Sequence, residues 1–336
     1  MTMVKYFKIP ATLLLLVLVL ASCQDSTRKG PEIDTSKLQK TELGIHRYGE
    51  ALFSIDTTNF TNEVTDIHEE FKLFLGNDIS NPSTLLPLYN YVVDTHLISI
   101  AVKTMEVYPS LTNLETQLGD AFSRNKYFFP DFQIPEVYSY ISNLYYEKPI
   151  IINNSIIIIA LDVYLGGDYT NYRTLGLPYY IVRRMTPDNI AIDVMKEIYN
   201  TEYSVQHRQK TLIDKMIASG KELYYLDAVL PQVPDSLKIG YSAAKMKWIE
   251  SNAENVWAFL VNNKLFYSAD FKIHSNFMKD APFTTGFSND SPSRIGQWLG
   301  WQIVRKYMSK HPEESLSSLI KENDFQKIFN ESGYKP

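Results

Sequence analysis

Cysteine is almost missing from this chain: of 336 residues only Cys23 carries a thiol, so no disulfide can close within it. Long apolar runs are missing as well. The longest, Ala11 to Ala21, has 11 residues, about half of the ~20 that a helix needs to cross ~30 Å of hydrocarbon. Positive charge is not in excess, with 33 Lys and Arg against 38 Asp and Glu for a net −5, so the electrostatic footprint of a nucleic-acid binder is absent. At 45% hydrophobic and 21% charged residues the balance is that of a globular chain, which excludes collagen, coiled coil, extended disorder and a multi-span membrane protein. The glycine signatures of phosphate cradles are also lacking: no G-x-x-x-x-G-K-[ST], and no G-x-G-x-x-G after a strand. The hydrolase elbow G-x-S-x-G is approached only by Gly240-Tyr241-Ser242-Ala243-Ala244, which lacks the last glycine. Paired histidines are missing too. His46, His68, His96, His207, His274 and His311 are isolated from one another, and His68-Glu69 is followed by Lys72 where H-E-x-x-H needs a second imidazole.

What is present begins at the N-terminus. Lys5 and Lys8 precede the short apolar run, which ends in Leu20-Ala21-Ser22-Cys23. A charged start, a brief hydrophobic stretch and small residues before a cysteine form a secretory signal, and this tetrapeptide resembles a bacterial lipobox. Cys23 then becomes a diacylated first residue. Removing 22 of 336 residues leaves 314, and losing Lys5 and Lys8 takes the charge from −5 to −7. Two or more acyl chains give stable attachment where one does not, so the chain is anchored to a membrane and does not span it. With its thiol consumed, Cys23 is unavailable for catalysis.

Three parts follow: a lipoprotein signal peptide at 1–22, the lipidated Cys and a flexible tether at 23–44, and one α+β domain at 45–336. The tether is polar and broken by Gly30-Pro31. Ile45 to Phe53 and Thr58 to Leu75 have helical spacing, as do Leu85 to Val102 behind Pro82 and Leu111 to Lys126. After Pro130 the pattern changes. Val137 to Ile141 and Asn153 to Leu165 are rich in β-branched residues and read as an antiparallel pair of strands. Helices resume after Thr186-Pro187, around Leu212 to Tyr225, at Ser242 to Glu250 and Glu254 to Asn262, at Ser293 to Met308, and after Pro312. The expected fold is therefore α+β and predominantly helical, with a small antiparallel sheet between helical blocks.

The densest run of unusual residues is Asp280 to Met308. Gly296 and Gly300, four apart on one helix, cost ~1 kcal/mol each against alanine and point to close approach of another element. Arg294, Gln297, Trp301 and Arg305, with Asp280 nearby, are candidates for a partner-binding face. The competing reading places Trp298 and Trp301 in the core, and both stay open.

Taken together, the lipobox, the opening IHRYGEALF, the isoleucine-rich strand, LYYLDAVLPQVPDSLKIGYSAAKMKWIESNAENVWAFLV and GFSNDSPSRIGQWLGWQIVRKYM resemble the gliding-motility lipoprotein GldB family over nearly the whole chain. The resemblance implies a non-enzymatic, lipid-anchored cell-envelope component of the gliding machinery. It also implies a link to type IX protein secretion, contacts with other machinery proteins, a body in the periplasm and no cofactor. The layout is also similar to a group of predicted zinc peptidases, which implies a zincin-like (metallopeptidase-like) scaffold. There a strand precedes an H-E-x-x-H helix, and a later helix carries a Glu-Gly pair. Here the corresponding positions are Asp193, Glu197 and Ser219, so the ligand positions are degenerate and no metal is expected. Two other classes remain as alternatives: a cryptic hydrolase using Asp193, Glu197 and Glu222, and a solute-binding lipoprotein whose Tyr169, Tyr172, Tyr179 and Tyr180 contact sugar.

Overall fold

The isoleucine-rich region builds a four-stranded sheet. The computed structural model describes residues 30–153, 155–204 and 209–336. The signal and lipobox residues Leu20, Ala21, Ser22 and Cys23 lie outside that set. The strands are β1 (Ile45–Arg47), β2 (Glu136–Tyr140), β3 (Ile150–Asn153) and β4 (Ile156–Ala160), in spatial order β1-β2-β4-β3. β2 runs parallel to both β1 and β4, and only β3 is antiparallel, to β4. The expected antiparallel sheet is therefore corrected to a mixed one. Asn153 pairs with Ile156, so the segment expected as one strand from Asn153 is the end of one strand and the start of the next. Ser155, between the two strands, is turn chemistry inside an otherwise continuous apolar run. β1 is hidden in IHRYGEALF because three residues show no period and its partner lies about 90 residues further on.

Both faces of the sheet are covered. Val137, Ile157 and Ile159 enter the larger core, while Tyr138 with Tyr140, Ile156 and Ile158 pack into a smaller one. A strand buried on both sides has no polar alternation, which is why Ile156 to Ile159 is unbroken. Each such side chain contributes about 1.5–3 kcal/mol by leaving water.

The smaller core is built by α1 (Tyr48–Phe53), α2 (Phe60–His68) and α3 (Pro82–Val92), with Tyr48 stacked on Phe74 at 4.1 Å between ring centres. Next come α4 (Thr95–Val107) and α5 (Thr112–Phe128). The continuous periodicity of Leu85 to Val102 conceals a break: Asp94 accepts from the amides of His96 (2.8 Å) and Leu97 (3.0 Å), capping α4 and ending α3, and the axes bend by 66°. No single helix among the described residues is long and apolar enough to cross a membrane.

The larger core gathers α6 (Ile190–Ile198), α7 (Leu212–Val229), α8 (Ala243–Asn262), α9 (Phe271–Met278), α10 (Ile295–Lys310), α11 (Leu316–Lys321) and α12 (Phe325–Ser332). α8 joins the two helical segments expected at 242–250 and 254–262, since nothing in Ser251-Asn252-Ala253 breaks a helix. α7 starts at a capping box made by Thr211 and Asp214. It crosses α10 at two glycines. A Cβ on Gly300 would lie 1.7 Å from the Met216 carbonyl oxygen, and one on Gly220 2.3 Å from that of Gly300. The close approach expected from Gly296 and Gly300 is thus made mainly by Gly300, against α7.

Part of the expected tether is docked. The Thr41 amide donates to Ser123 Oγ at 2.9 Å, and the Ile45 amide to Glu115 Oε1 at 3.0 Å, both on α5. Gly119 makes room for the strand-like approach, since a Cβ there would meet the Thr41 carbonyl at 2.6 Å. Gly30 lies against the backbone of Asp227 at the far end of the same strap. Backbone amides need partners once solvent is excluded, and Ser123 and Glu115 supply them. The polar composition of 24–44 concealed this, because the contacts are made by main chain.

Candidate functional site

Charge collects between α6 and α7 inside an apolar body, beside a small crevice that Glu222 lines. Asp193 and Lys196 lie on one face of α6, three residues apart, and Glu222 projects from α7; all three are half-buried. Tyr164 donates to Asp193 Oδ2 at 3.0 Å, and Asn200 Nδ2 to Glu222 Oε1 at 3.3 Å. Burial raises the carboxyls of Asp193 and Glu222 above their ordinary range, with Lys196 opposing in each case. Burial likewise pushes the Lys196 amine down, with Glu222 and Asp193 opposing. Each group is driven toward its neutral form, an arrangement with acid–base capacity.

Behind this crevice lies a second charged group. Asp280 Oδ2 accepts from Arg184 Nη1 at 2.8 Å, and Asp280 Oδ1 lies 3.2 Å from Arg294 Nε. Arg294 is 6% exposed, has φ of +56° at the start of α10, and donates through Nη2 to the Gly240 carbonyl at 3.3 Å. Arg183 donates to the same carbonyl. Arg294 and Asp280 were singled out in the sequence, but Arg183 and Arg184 were not, since Arg184 and Asp280 stand 96 residues apart.

The residues expected to face a partner are mostly turned inward. Trp301 is fully buried and its Nε1 donates to Asp227 Oδ2 at 2.8 Å. Arg305 grips Asp227 with two hydrogen bonds of 2.7 and 2.8 Å, reaches Asp235 at 2.8 Å, and lies 3.7 Å from the Trp301 ring centre. Gln297 donates to the Met278 carbonyl at 2.8 Å. Arg294, Gln297, Trp301, Arg305 and Asp280 therefore hold α7, α9, α10 and the loops between them together. The polar and aromatic face of this helix is polar because it closes over a buried carboxylate, so the surface expected for a partner is corrected to an internal joint.

The degenerate metal positions fall around the crevice. Glu197 is four residues from Asp193 on α6, and Ser219 shares with Glu222 a pocket of about 150 Å³. Among the described residues no three His, Cys, Asp or Glu side chains converge on a point that could hold a metal ion. Of the tyrosine loop, Tyr172 is buried and committed: its hydroxyl donates to the Asp162 carbonyl at 2.8 Å and accepts from the Leu165 amide at 2.9 Å. Tyr179, by contrast, is 75% exposed. A larger cleft of about 1110 Å³ opens elsewhere, between Gly30–Glu32 and the end of α10, with Tyr127, Tyr224 and Lys310 on its walls.

One lysine beside the crevice has a titration that can be read. Lys221 is 2% exposed, donates to the Glu322 carbonyl and faces the Phe325 ring; burial lowers its pKa from 10.5 to about 8, against the pull of Glu322 and Glu314. Between those two values the unfolded chain holds a proton that the folded chain has released, so stability rises with pH through that window. The melting temperature is expected to climb from pH 8 to pH 9.5, and Lys221→Met to flatten that climb. Scanning calorimetry across the range checks it; an equal slope in both proteins would contradict the assignment.

A family model described as gliding motility protein GldB matches residues 28–336. No curated protein and no solved structure matches the chain.

Proposed function

The chain belongs to the gliding motility protein GldB family, and from that premise we propose that it is a lipid-anchored envelope component whose folded body serves the gliding machinery through protein contacts. The family is one of non-catalytic lipoproteins. The observation that carries the reading is the extent of the match, which takes in the strap, both cores and the sheet rather than one motif. Lipidation at Cys23, a periplasmic body and association with type IX secretion components belong to the same proposal. So does a peptidase-like scaffold. It is supported by the packing of α6 against α7, with Asp193, Glu197 and Ser219 at the positions that correspond by pattern to a zinc peptidase's ligands. On this reading the Asp193–Lys196–Glu222 group is a relic of architecture and is not needed for chemistry.

Two substitutions divide the possibilities. Cys23→Ser is expected to leave the protein out of the membrane fraction and to abolish gliding, scored on agar and by fractionation. Asp193→Asn with Glu222→Gln is expected to leave gliding unchanged, because both replacements keep the hydrogen bonds and discard only the charges. Loss of gliding in that double variant, with the protein present at its ordinary level, would restore the hydrolase reading.

A further inference from the structure

β3 is the edge strand on one side of the sheet, and its outer main chain faces no other strand. The hydrogen bond from the Ala160 amide to the Pro149 carbonyl, 2.9 Å, sets the phase of the β3–β4 ladder. In an antiparallel pair, opposed residues alternate between exchanging hydrogen bonds and exchanging none. With Pro149 opposite Ala160, the bonded pairs that follow are Ile151 with Ile158 and Asn153 with Ile156. Ile150 and Ile152 therefore turn their N–H and C=O groups away from β4, to the outside of the sheet. No hydrogen bond from any described residue reaches those groups. Ile150 is 4% exposed, and main-chain groups removed from water ordinarily have partners.

The opposite edge is managed differently. In β1 the Ile45 amide is taken by Glu115, and the next two residues are His46 and Arg47. Charged side chains and an occupied main chain blunt an edge against further pairing. β3 holds neither charge nor proline, and three of its four residues are isoleucine.

Beside β3 lies a cavity of about 650 Å³, bounded by Phe129, Phe132, Ile152, Ile157, Ile198 and Tyr203. Ile152 and Ile157 stand opposite each other on the two strands, on the face of the sheet that meets the larger core. The walls are apolar and held in place: Phe129 and Tyr203 stack at 4.0 Å between ring centres, and the Tyr203 hydroxyl accepts from Asn125 Nδ2 at 2.8 Å. Pockets that take ligands have volumes of ~300–1,000 Å³.

We propose that this edge binds an extended segment of another polypeptide, which adds to the sheet as a fifth strand and places alternate apolar side chains in the cavity. Edge and cavity select that chemistry together. Two N–H and two C=O groups, on residues ~7 Å apart along the strand, match the main-chain repeat of another strand. Every second side chain of the added strand points to one face of the sheet, so one set can enter the cavity while main-chain hydrogen bonds hold the register. An acyl chain fills the cavity but leaves the four polar groups without partners. A second copy pairing β3 to β3 satisfies those groups but not the cavity, because its own Ile150 and Ile152 side chains are packed against its own core.

The inference deepens the reading of a body that works through protein contacts, and rests on it for the nature of the partner. Its test uses the full chain purified in mild detergent. Short random peptides displayed on phage are selected on it, and the tightest is synthesised with two N-methylated forms, each blocking one alternate set of amides. One form is expected to bind about tenfold more weakly or worse and the other like the parent, because only one set faces β3. Hydrogen exchange at the Ile150 and Ile152 amides is expected to slow by a similar factor when the parent peptide is present. Ile152→Pro removes one outward N–H and spares the ladder to β4, and proline is tolerated on edge strands, so this variant should bind the peptide about tenfold more weakly as well. An unchanged melting temperature checks its fold, and the exchange measurement on the unsubstituted chain stands without it. Peptides that leave both amides unprotected, or that respond equally to the two methylated forms, overturn the proposal, as does a selection that yields no binder. None of these results involves gliding cells, so the motility reading stands or falls separately, on Cys23→Ser.

Discussion

Gly300→Ala is expected to yield no soluble folded protein, or one that melts so low that it is recovered only in the cold. Two effects oppose each other here. Alanine favours a helix over glycine by ~1 kcal/mol, so α10 alone would be strengthened. But the new Cβ would lie 1.7 Å from the Met216 carbonyl oxygen and 2.3 Å from its carbon, and these are backbone atoms of α7 that no rotamer change can move. Overpacking ordinarily costs ~1–3 kcal/mol when side chains can shift; here two helices must separate, and a loss above ~3 kcal/mol is expected from a total of ~5–15. Gly220→Ala, on the other side of the same crossing, behaves alike because its Cβ would meet Gly300 at 2.3 Å. Gly44→Ala is the control: nothing lies within 4 Å of its Cβ, and its change is expected within ±0.5 kcal/mol. Chemical denaturation of the three variants decides it, and a Gly300→Ala protein as stable as Gly44→Ala would show the crossing to be looser than described.

Asp227→Ala is expected to cost about 3–5 kcal/mol, the second large effect. The carboxylate is fully buried and accepts from Lys238 Nζ (2.9 Å), Trp301 Nε1 (2.8 Å) and Arg305 through Nε and Nη2. Removing it strands Lys238, which is 1% exposed, while Arg305 keeps Asp235 at 2.8 Å. The stranded amine dominates the loss, so Lys238→Met added to Asp227→Ala should recover part of it. A coupling of ~1 kcal/mol or more in the double-mutant cycle is expected, and simple additivity would deny that the groups act as a unit. The same network explains why one face of α10 read in sequence as a candidate for a partner: Arg305 and Trp301 are polar where they meet a carboxylate on α7, not where they meet water.

The crevice residues were legible only in part. Asp193, Glu197, Ser219 and Glu222 could be singled out only through the resemblance to zinc peptidases. Lys196, Tyr164, Arg184 and Arg183 could not, because what matters in them is which distant carboxylate they face. Likewise the strap could not be separated from a free tether, since its hydrogen bonds run from main-chain amides of Thr41 and Ile45 to Ser123 and Glu115. The outer side of β3 was read only as part of an isoleucine-rich strand, and its edge position became visible once the register with β4 was in place.

By itself the sequence determined the family, the helical blocks on either side of a short sheet, the need for close helix approach at Gly296 and Gly300, and the likeness of Leu20–Cys23 to a lipobox. These are local properties: periodicity, caps, turn residues and small residues act within a few positions. The tertiary structure decided the parallel pairing of β2 with β1 and β4, the inward turn of Trp301 and Arg305 onto Asp227, the docking of the strap and the edge position of β3. Each depends on which elements meet across many tens of residues. A local pattern states that a side chain needs burial or a partner, and only packing settles which one it gets.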